Sequence, residues 1–236
     1  MSAIQGARER ARREITAAIK DEARRQLATE GAAKLSLRAV ARELGMVSSA
    51  LYRYFPSRDE LLTALIIDAY DAVGEAAERA LAEAGTAPVA RWTAVCRAVR
   101  GWALAHPHEY ALIYGSPVPG YAAPQDTTAS AARVGLALLG VVEDAQPAGG
   151  TRTAAPAGPP LPQEVLDDAE QLRKTLDVRL PAPVLAVAVA AWAELFGLVS
   201  FEVFGQFNRV VEAREAFFEQ AVARLARTVG LGDGEG

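Results

Sequence analysis

The sequence predicts an all-α chain in two parts: a small three-helix N-terminal domain, residues 1–56, and a larger helical domain, residues 57–236. Three observations carry this expectation. Apolar residues recur at three- and four-residue spacing in one segment after another, and no stretch alternates apolar and polar residues as a half-buried strand would. Residues 36–58, SLRAVARELGMVSSALYRYFPSR, spell two short helices bent sharply around a glycine. Charge is divided as well: residues 1–55 hold 11 Lys and Arg against 6 Asp and Glu, a net of +5, whereas residues 56–236 hold 14 against 23, a net of −9. A basic head on an acidic body is the electrostatic footprint of phosphate contact, with the acidic remainder limiting indiscriminate adhesion to nucleic acid.

The first helix is expected over about residues 8–30, where Ile15, Ile19, Ala23 and Leu27 form one apolar stripe that stops at Gly31. Its early Arg8, Arg10, Arg12 and Arg13 read either as a solvated face mixed with Glu9 and Glu14 or as direct phosphate contacts. Ser36 is placed to N-cap a second helix whose Leu37, Val40, Ala41 and Leu44 share a buried face. Gly45 ends it, at a position that favours positive φ. A third helix, about 48–55, turns Leu51 and Phe55 inward and leaves Ser48, Ser49, Tyr52 and Arg53 on the other side, before Pro56 stops it. Because Val47 occupies the helix start, capping is expected to pass to Ser48. A fourth helix runs from a Ser57 cap, with Asp59 and Glu60 in its positive first turn, to about Ala84. Its apolar stripe through Leu61, Leu65, Ile66, Ala69 and Val73 carries no proline, which suits a lever between the two parts, with Gly74 its one soft position.

The spacing of Ala41, Gly45 four positions on and Leu51 six further meets the steric needs of a helix-turn-helix. A small residue lets two helices approach, the glycine makes the turn, and the apolar residue closes the core beneath the second helix. With the LYRYF helix and the PSRDELL helix start that follows, residues 8–65 resemble the DNA-binding domain of the TetR family of bacterial transcriptional regulators. The resemblance implies base and phosphate contacts from Ser48, Ser49, Tyr52, Arg53 and Tyr54, and a grip on the DNA backbone by Ser36, Arg38 and Arg58. It also implies a homodimer placed on the two half-sites of a palindromic operator in double-stranded DNA.

Beyond the fourth helix, further helices are expected over about 89–105, bringing Trp92, Val95, Val99 and Trp102 together, and over 107–114. The segment 106–124, HPHEYALIYGSPVPGYAAP, fixes a turn-rich path with four prolines and two glycines, and Tyr110, Tyr114 and Tyr121 hang from it. It is similar to an element of the TetR C-terminal subfamily called WHG. The segment matching that subfamily's signature is Trp192 to Gly197, WAELFG, with Phe196 in place of the histidine. Trp92, Trp102, Tyr110, Tyr114, Tyr121, Trp192 and Phe196 are the candidates for lining the pocket of a mostly apolar small-molecule effector, with core filling as their competing role.

A helix over 126–144, a Pro-, Gly- and Ala-rich mobile loop at 145–160, and a helix from Pro162 to about Leu180 are expected next. Residues 184–205 are apolar enough to raise a membrane span. Glu194 and Glu202 interrupt them and no basic cluster flanks them, so a buried helix is expected and no membrane partner. Ala186, Ala190, Ala193 and Gly197 make a small-residue stripe along it, and a last helix at about 212–229 offers Phe218, Val222, Leu225 and Val229. The family's dimeric four-helix bundle, built from the last two long helices of each subunit, implies these eight residues as the dimer interface.

No G-x-S-x-G, phosphate loop, dinucleotide fingerprint or Cys/His pairing occurs, so no enzymatic activity and no cofactor are expected. His106 and His108 with Glu109 fall short of a zinc set, and His106 before Pro107 reads as a helix-end cap, so no metal is expected. The single cysteine, Cys96, lies among Trp92, Val95 and Val99 and reads as buried and inert. With no cleavable apolar leader, a cytoplasmic location is expected. The expected function is a repressor released from DNA by a small molecule. Its competitors are an activator or architectural DNA binder, and a helical ligand-binding protein or enzyme without salt-dependent affinity for duplex DNA.

Overall fold

The computed structural model describes residues 3–146 and 160–232, so the loop expected at 145–160 falls almost entirely outside the described residues. Those residues form ten α-helices and two short 3-10 turns, with no strand among them. The helices are α1 (Ala3–Glu30), α2 (Leu37–Glu43), α3 (Ser48–Leu51), α4 (Arg58–Glu83), α5 (Pro88–Ala105), α6 (Pro107–Tyr114), α7 (Thr128–Asp144), α8 (Gln163–Leu176), α9 (Ala182–Val203) and α10 (Arg214–Thr228). Two compact units result, one of residues 1–71 with 106–130 and one of residues 72–105 with 131–236. The unit that contains residues 1–56 thus also takes in the first part of α4, α6 and the proline-rich loop.

In the first unit, Ile19, Ala23 and Leu27 of α1 meet Leu37, Val40 and Ala41 of α2, Leu51 and Phe55 around α3, and Leu61, Leu62 and Leu65 of α4. Gly45 stands at φ 64°, where a side chain would be strained, and the Met46 N–H donates to the Ala41 carbonyl at 2.8 Å to close the turn. The third helix is shorter than the sequence predicts. It is α-helical only over Ser48–Leu51 and then tightens, the Tyr54 N–H donating to the Leu51 carbonyl at 2.8 Å. Pro56 disfavours the α conformation for the residue before it, which accounts for the tightening. Ser57 caps α4 as expected, its Oγ accepting the Glu60 N–H at 3.1 Å.

In the second unit, α9 packs against α5, α8 and α10. It is long and apolar enough by composition to cross a membrane, yet Leu185, Ala188, Leu195 and Val199 along it are buried. The carboxylate of Glu202 is also buried there and accepts two hydrogen bonds from the Arg100 guanidinium, at 2.7 and 2.8 Å. A second bidentate pair joins Arg97 to Glu219 at 2.6 and 2.7 Å and holds the Glu219 carboxyl below its ordinary pKa. Gly74 is a contact point rather than a soft spot: a Cβ built there would lie 2.8 Å from Cβ of Arg133, so the glycine admits α7 against α4. The helix expected to reach Leu180 stops at Leu176. Asp177 turns left-handed at φ 53°, and the Val178 N–H donates to the Arg173 carbonyl, while Val178 and Leu180 remain buried beyond the helix and extend its apolar pattern.

One part of the expected dimer interface is corrected. Phe218, Val222, Leu225 and Val229 are 2%, 0%, 0% and 4% exposed within a single chain, so that stripe of α10 is already spent on its own unit. The α9 stripe differs: Ala190, Ala193 and Gly197 are exposed, Ala186 is half-buried, and a Cβ at Gly197 would meet nothing within 4 Å.

Candidate nucleic-acid interface

The outward face of the α3 region is built on buried Leu51 and Phe55, which pin the short helix to the core. Opposite them Ser48, Ser49 and Arg53 are exposed and Tyr52 retains 40% of its surface. Hydroxyls and a guanidinium on a rigid, basic element can meet base edges and phosphates. Val47 is the N-cap, extended at φ −68° and ψ 137°, and no side chain caps the helix start. Capping therefore does not pass to Ser48, whose hydroxyl stands exposed in the first turn.

Three of the expected contact residues are occupied within the fold. Ser36 is the N-cap of α2, accepting the Ala39 N–H at 3.4 Å, and its own N–H donates to Oε1 of buried Gln26. Arg58 donates to the Ala32 and Ala33 carbonyls at 2.9 and 3.4 Å, which ties the start of α4 to the turn after α1. Tyr54 is half-buried against the core with the Arg12 guanidinium 5.4 Å over its ring. Arg38, by contrast, is exposed on α2.

An ion-pair network that sequence reasoning missed fastens α1 to α4 and α6. Arg24 reaches Asp21 and Asp68 at 2.7 Å each and Glu109 at 3.1 Å, and Lys20 reaches Asp68 at 2.7 Å. The i,i+3 spacing of Asp21 and Arg24 was legible, but nothing in sequence links either to Asp68 or Glu109. His106 is the N-cap residue of α6 without a side-chain capping bond; its Nδ1 lies 3.2 Å from Glu109.

The seven aromatic ligand candidates divide between the two units. Tyr110, Tyr114 and Tyr121 belong to the first unit and Trp92, Trp102, Trp192 and Phe196 to the second. Tyr110 is fully buried; Tyr114 lies 5.1 Å from its ring and edge-on to Tyr70 at 5.9 Å. Burial, and then the neighbouring Tyr70 and Tyr110, push the Tyr114 phenol well above its ordinary pKa, so it stays neutral. The Tyr121 hydroxyl pairs with Thr63 Oγ1 at 2.8 Å. In the second unit Trp192 and Phe196 pack edge to face at 5.6 Å, with Trp192 partly exposed. Trp92 is fully buried, and its Nε1–H has no acceptor among the described residues. Cys96 is buried beside it in α5, and burial raises its thiol pKa strongly, which keeps it inert.

Comparison with known proteins gives concordant matches. Residues 19–65 match the family model described as bacterial regulatory proteins, tetR family, and residues 92–225 match that of the tetracyclin repressor-like C-terminal domain. The HTH-type transcriptional regulators Rv1816 of Mycobacterium tuberculosis and Mb1846 of Mycobacterium bovis are each 44% identical over 208 residues, covering 86% of this chain and 86% of theirs. Among solved structures, SCO4313 superposes with a TM-score of 0.74 at 35% identity, covering 92% of this chain and 97% of that one. A Rhodococcus sp. RHA1 protein of unknown function superposes with a TM-score of 0.65 at 25% identity, covering 90% and 93%.

Proposed function

The chain belongs to the TetR family of bacterial regulatory proteins, and from that premise we propose that it is a homodimeric, cytoplasmic repressor released from a palindromic operator by a small-molecule effector. It is a DNA-binding transcriptional regulator. The observation that carries the operator reading is the α3 face: Ser48, Ser49, Tyr52 and Arg53 lie open on a helix anchored by buried Leu51 and Phe55. Ser48, Ser49, Tyr52 and Arg53 read base edges and neighbouring phosphates, and Arg38 holds the backbone from α2.

Two copies pair through the exposed Ala190, Ala193 and Gly197 face of α9, where small side chains allow close helix approach. Each copy then brings one α3 to one half-site. The effector binds the domain matched by residues 92–225 and favours a dimer whose α3 helices stand at a different separation, so operator and effector exclude each other reciprocally. Trp192 and Phe196, with the unpaired Trp92 N–H, are the aromatic groups in that unit best placed in chemistry to meet an apolar ligand bearing one acceptor.

Capture of genomic fragments on the purified protein, followed by footprinting, tests the reading. An inverted repeat with two protected half-sites about one or more helical turns apart is expected. Fragments enriched without a shared sequence would overturn it.

A further inference from the structure

The cations of α1 fall into two groups. Toward its C-terminal half, Lys20 and Arg24 are neutralised by Asp68, Asp21 and Glu109. Toward its start, Arg12 and Arg13 are exposed and form no ion pair with any described residue, although Glu9 and Glu14 lie on the same helix. Among the described residues the Arg12 guanidinium has one partner, the ring face of Tyr54, at 5.4 Å. That ring stands at the end of the α3 turn, one position beyond exposed Arg53. A guanidinium held over an aromatic face gives up little of its donor capacity, since none of its five N–H groups is spent on a hydrogen bond there. The contact lowers the side-chain entropy left to lose on meeting a phosphate, because it restrains the long chain beforehand.

We propose that Tyr54 is a positioning residue: its ring aims the Arg12 guanidinium at a DNA backbone phosphate beside the half-site, so the contact surface extends from α3 onto α1. The inference rests on the operator reading given above and changes the role of Tyr54 within it. Tyr54 does not touch DNA through its hydroxyl; it acts through Arg12. Its half-buried place against the core suits a platform better than a base reader. Charge complementarity names the partner, because an unpaired cation next to the recognition helix meets a phosphate at the least cost in desolvation.

The test is the salt dependence of operator binding by the full-length protein, read by fluorescence anisotropy with a duplex taken from the footprint. Each phosphate contact contributes about 0.9 to the slope of log K against log salt. Arg12→Gln should lower that slope by about one per protomer and weaken operator and unrelated duplex by the same factor. Tyr54→Leu should produce the same loss, Tyr54→Phe should leave the slope at the wild-type value, and Arg12→Gln with Tyr54→Leu should lose no more than either alone. Arg227→Gln removes an equal charge from the other unit and should change nothing. An Arg12→Gln slope equal to wild type overturns the proposal, as does a loss in Tyr54→Phe matching that of Tyr54→Leu, since the hydroxyl would then be the contact. Additive losses in the double variant overturn it too. Wild-type protein that binds no duplex in a salt-dependent way would instead defeat the operator reading itself. Thermal melts of each variant separate misfolding from lost contact, and Tyr54→Phe keeps the test decisive if Tyr54→Leu unfolds.

Discussion

Trp92 is the residue at which packing and recognition compete most directly. Its ring is fully buried while its N–H lacks an acceptor among the described residues, and an unpaired buried donor costs about 1–3 kcal/mol. Trp92→Phe removes that donor together with part of the ring, so the two effects offset. The expected change in ligand-free stability is within about 1.5 kcal/mol, against about 3–5 kcal/mol lost for Trp92→Ala. Urea unfolding of both variants checks this; a Trp92→Phe loss as large as that of Trp92→Ala would show that the N–H is satisfied. The exposure of the α3 residues was more legible in sequence than the surroundings of the aromatic ones, for a physical reason. Ser48, Ser49, Tyr52 and Arg53 are set by position on one local helix, whereas whether a tyrosine fills a core depends on partners far away in the chain. Tyr121 met Thr63, and Tyr114 met Tyr70, neither of which any local pattern could indicate. The anchoring of Arg58 was hidden for the same reason, since its acceptors are carbonyls 25 and 26 residues earlier.

At the scale of elements, α5, α9 and α10 are joined by charge as well as by apolar packing. Arg100 and Glu202 form a pair whose side chains are 16% and 6% exposed, with the guanidinium also 5.1 Å over the Phe218 ring. Removing one partner strands a buried charge. Arg100→Met is therefore expected to cost about 3 kcal/mol, and the double variant Arg100→Met with Glu202→Leu to recover most of it, because an apolar pair can replace a buried ionic one at little loss. Chemical denaturation of the three proteins measures the difference; a double variant no more stable than the single one would contradict it. Helix existence was legible almost throughout, since apolar spacing marks a buried face. Helix ends were less so. The α8 stop rests on a left-handed Asp177, and apolar Val178 and Leu180 beyond it prolong the pattern into a segment that is no longer helical. The face of α10 was misassigned because a stripe buried against its own unit and one buried against a partner have the same spacing. Only the exposure of each face separates them.

At the scale of the whole molecule, the proposed function requires two copies held at a fixed separation. Gly197 lies open on α9, where an added Cβ meets nothing within 4 Å, so Gly197→Arg is expected to dissociate the proposed dimer while leaving helical content and unfolding of the subunit intact. Sedimentation with circular dichroism tests this: a folded dimer in Gly197→Arg would place the interface elsewhere. The charge division and the helix-turn-helix spacing set the N-terminal helices apart in sequence, but the attachment of α6 and the proline-rich loop to the first unit was not legible there. That attachment depends on the Arg24 bridge to Asp68 and Glu109 and on the Tyr121 contact, all long-range. In the proposed function the exposed α3 face reads a specific duplex sequence, and that recognition is open to direct measurement. It is tested most directly by anisotropy titrations of wild type and Tyr52→Ala against the footprinted operator and a scrambled duplex of equal length, at one fixed salt concentration. Wild type should prefer the operator by at least about a thousandfold, and Tyr52→Ala should lose about 1–3 kcal/mol on the operator while remaining a folded dimer. Equal affinity of wild type for both duplexes, or unchanged operator affinity in Tyr52→Ala, would contradict it.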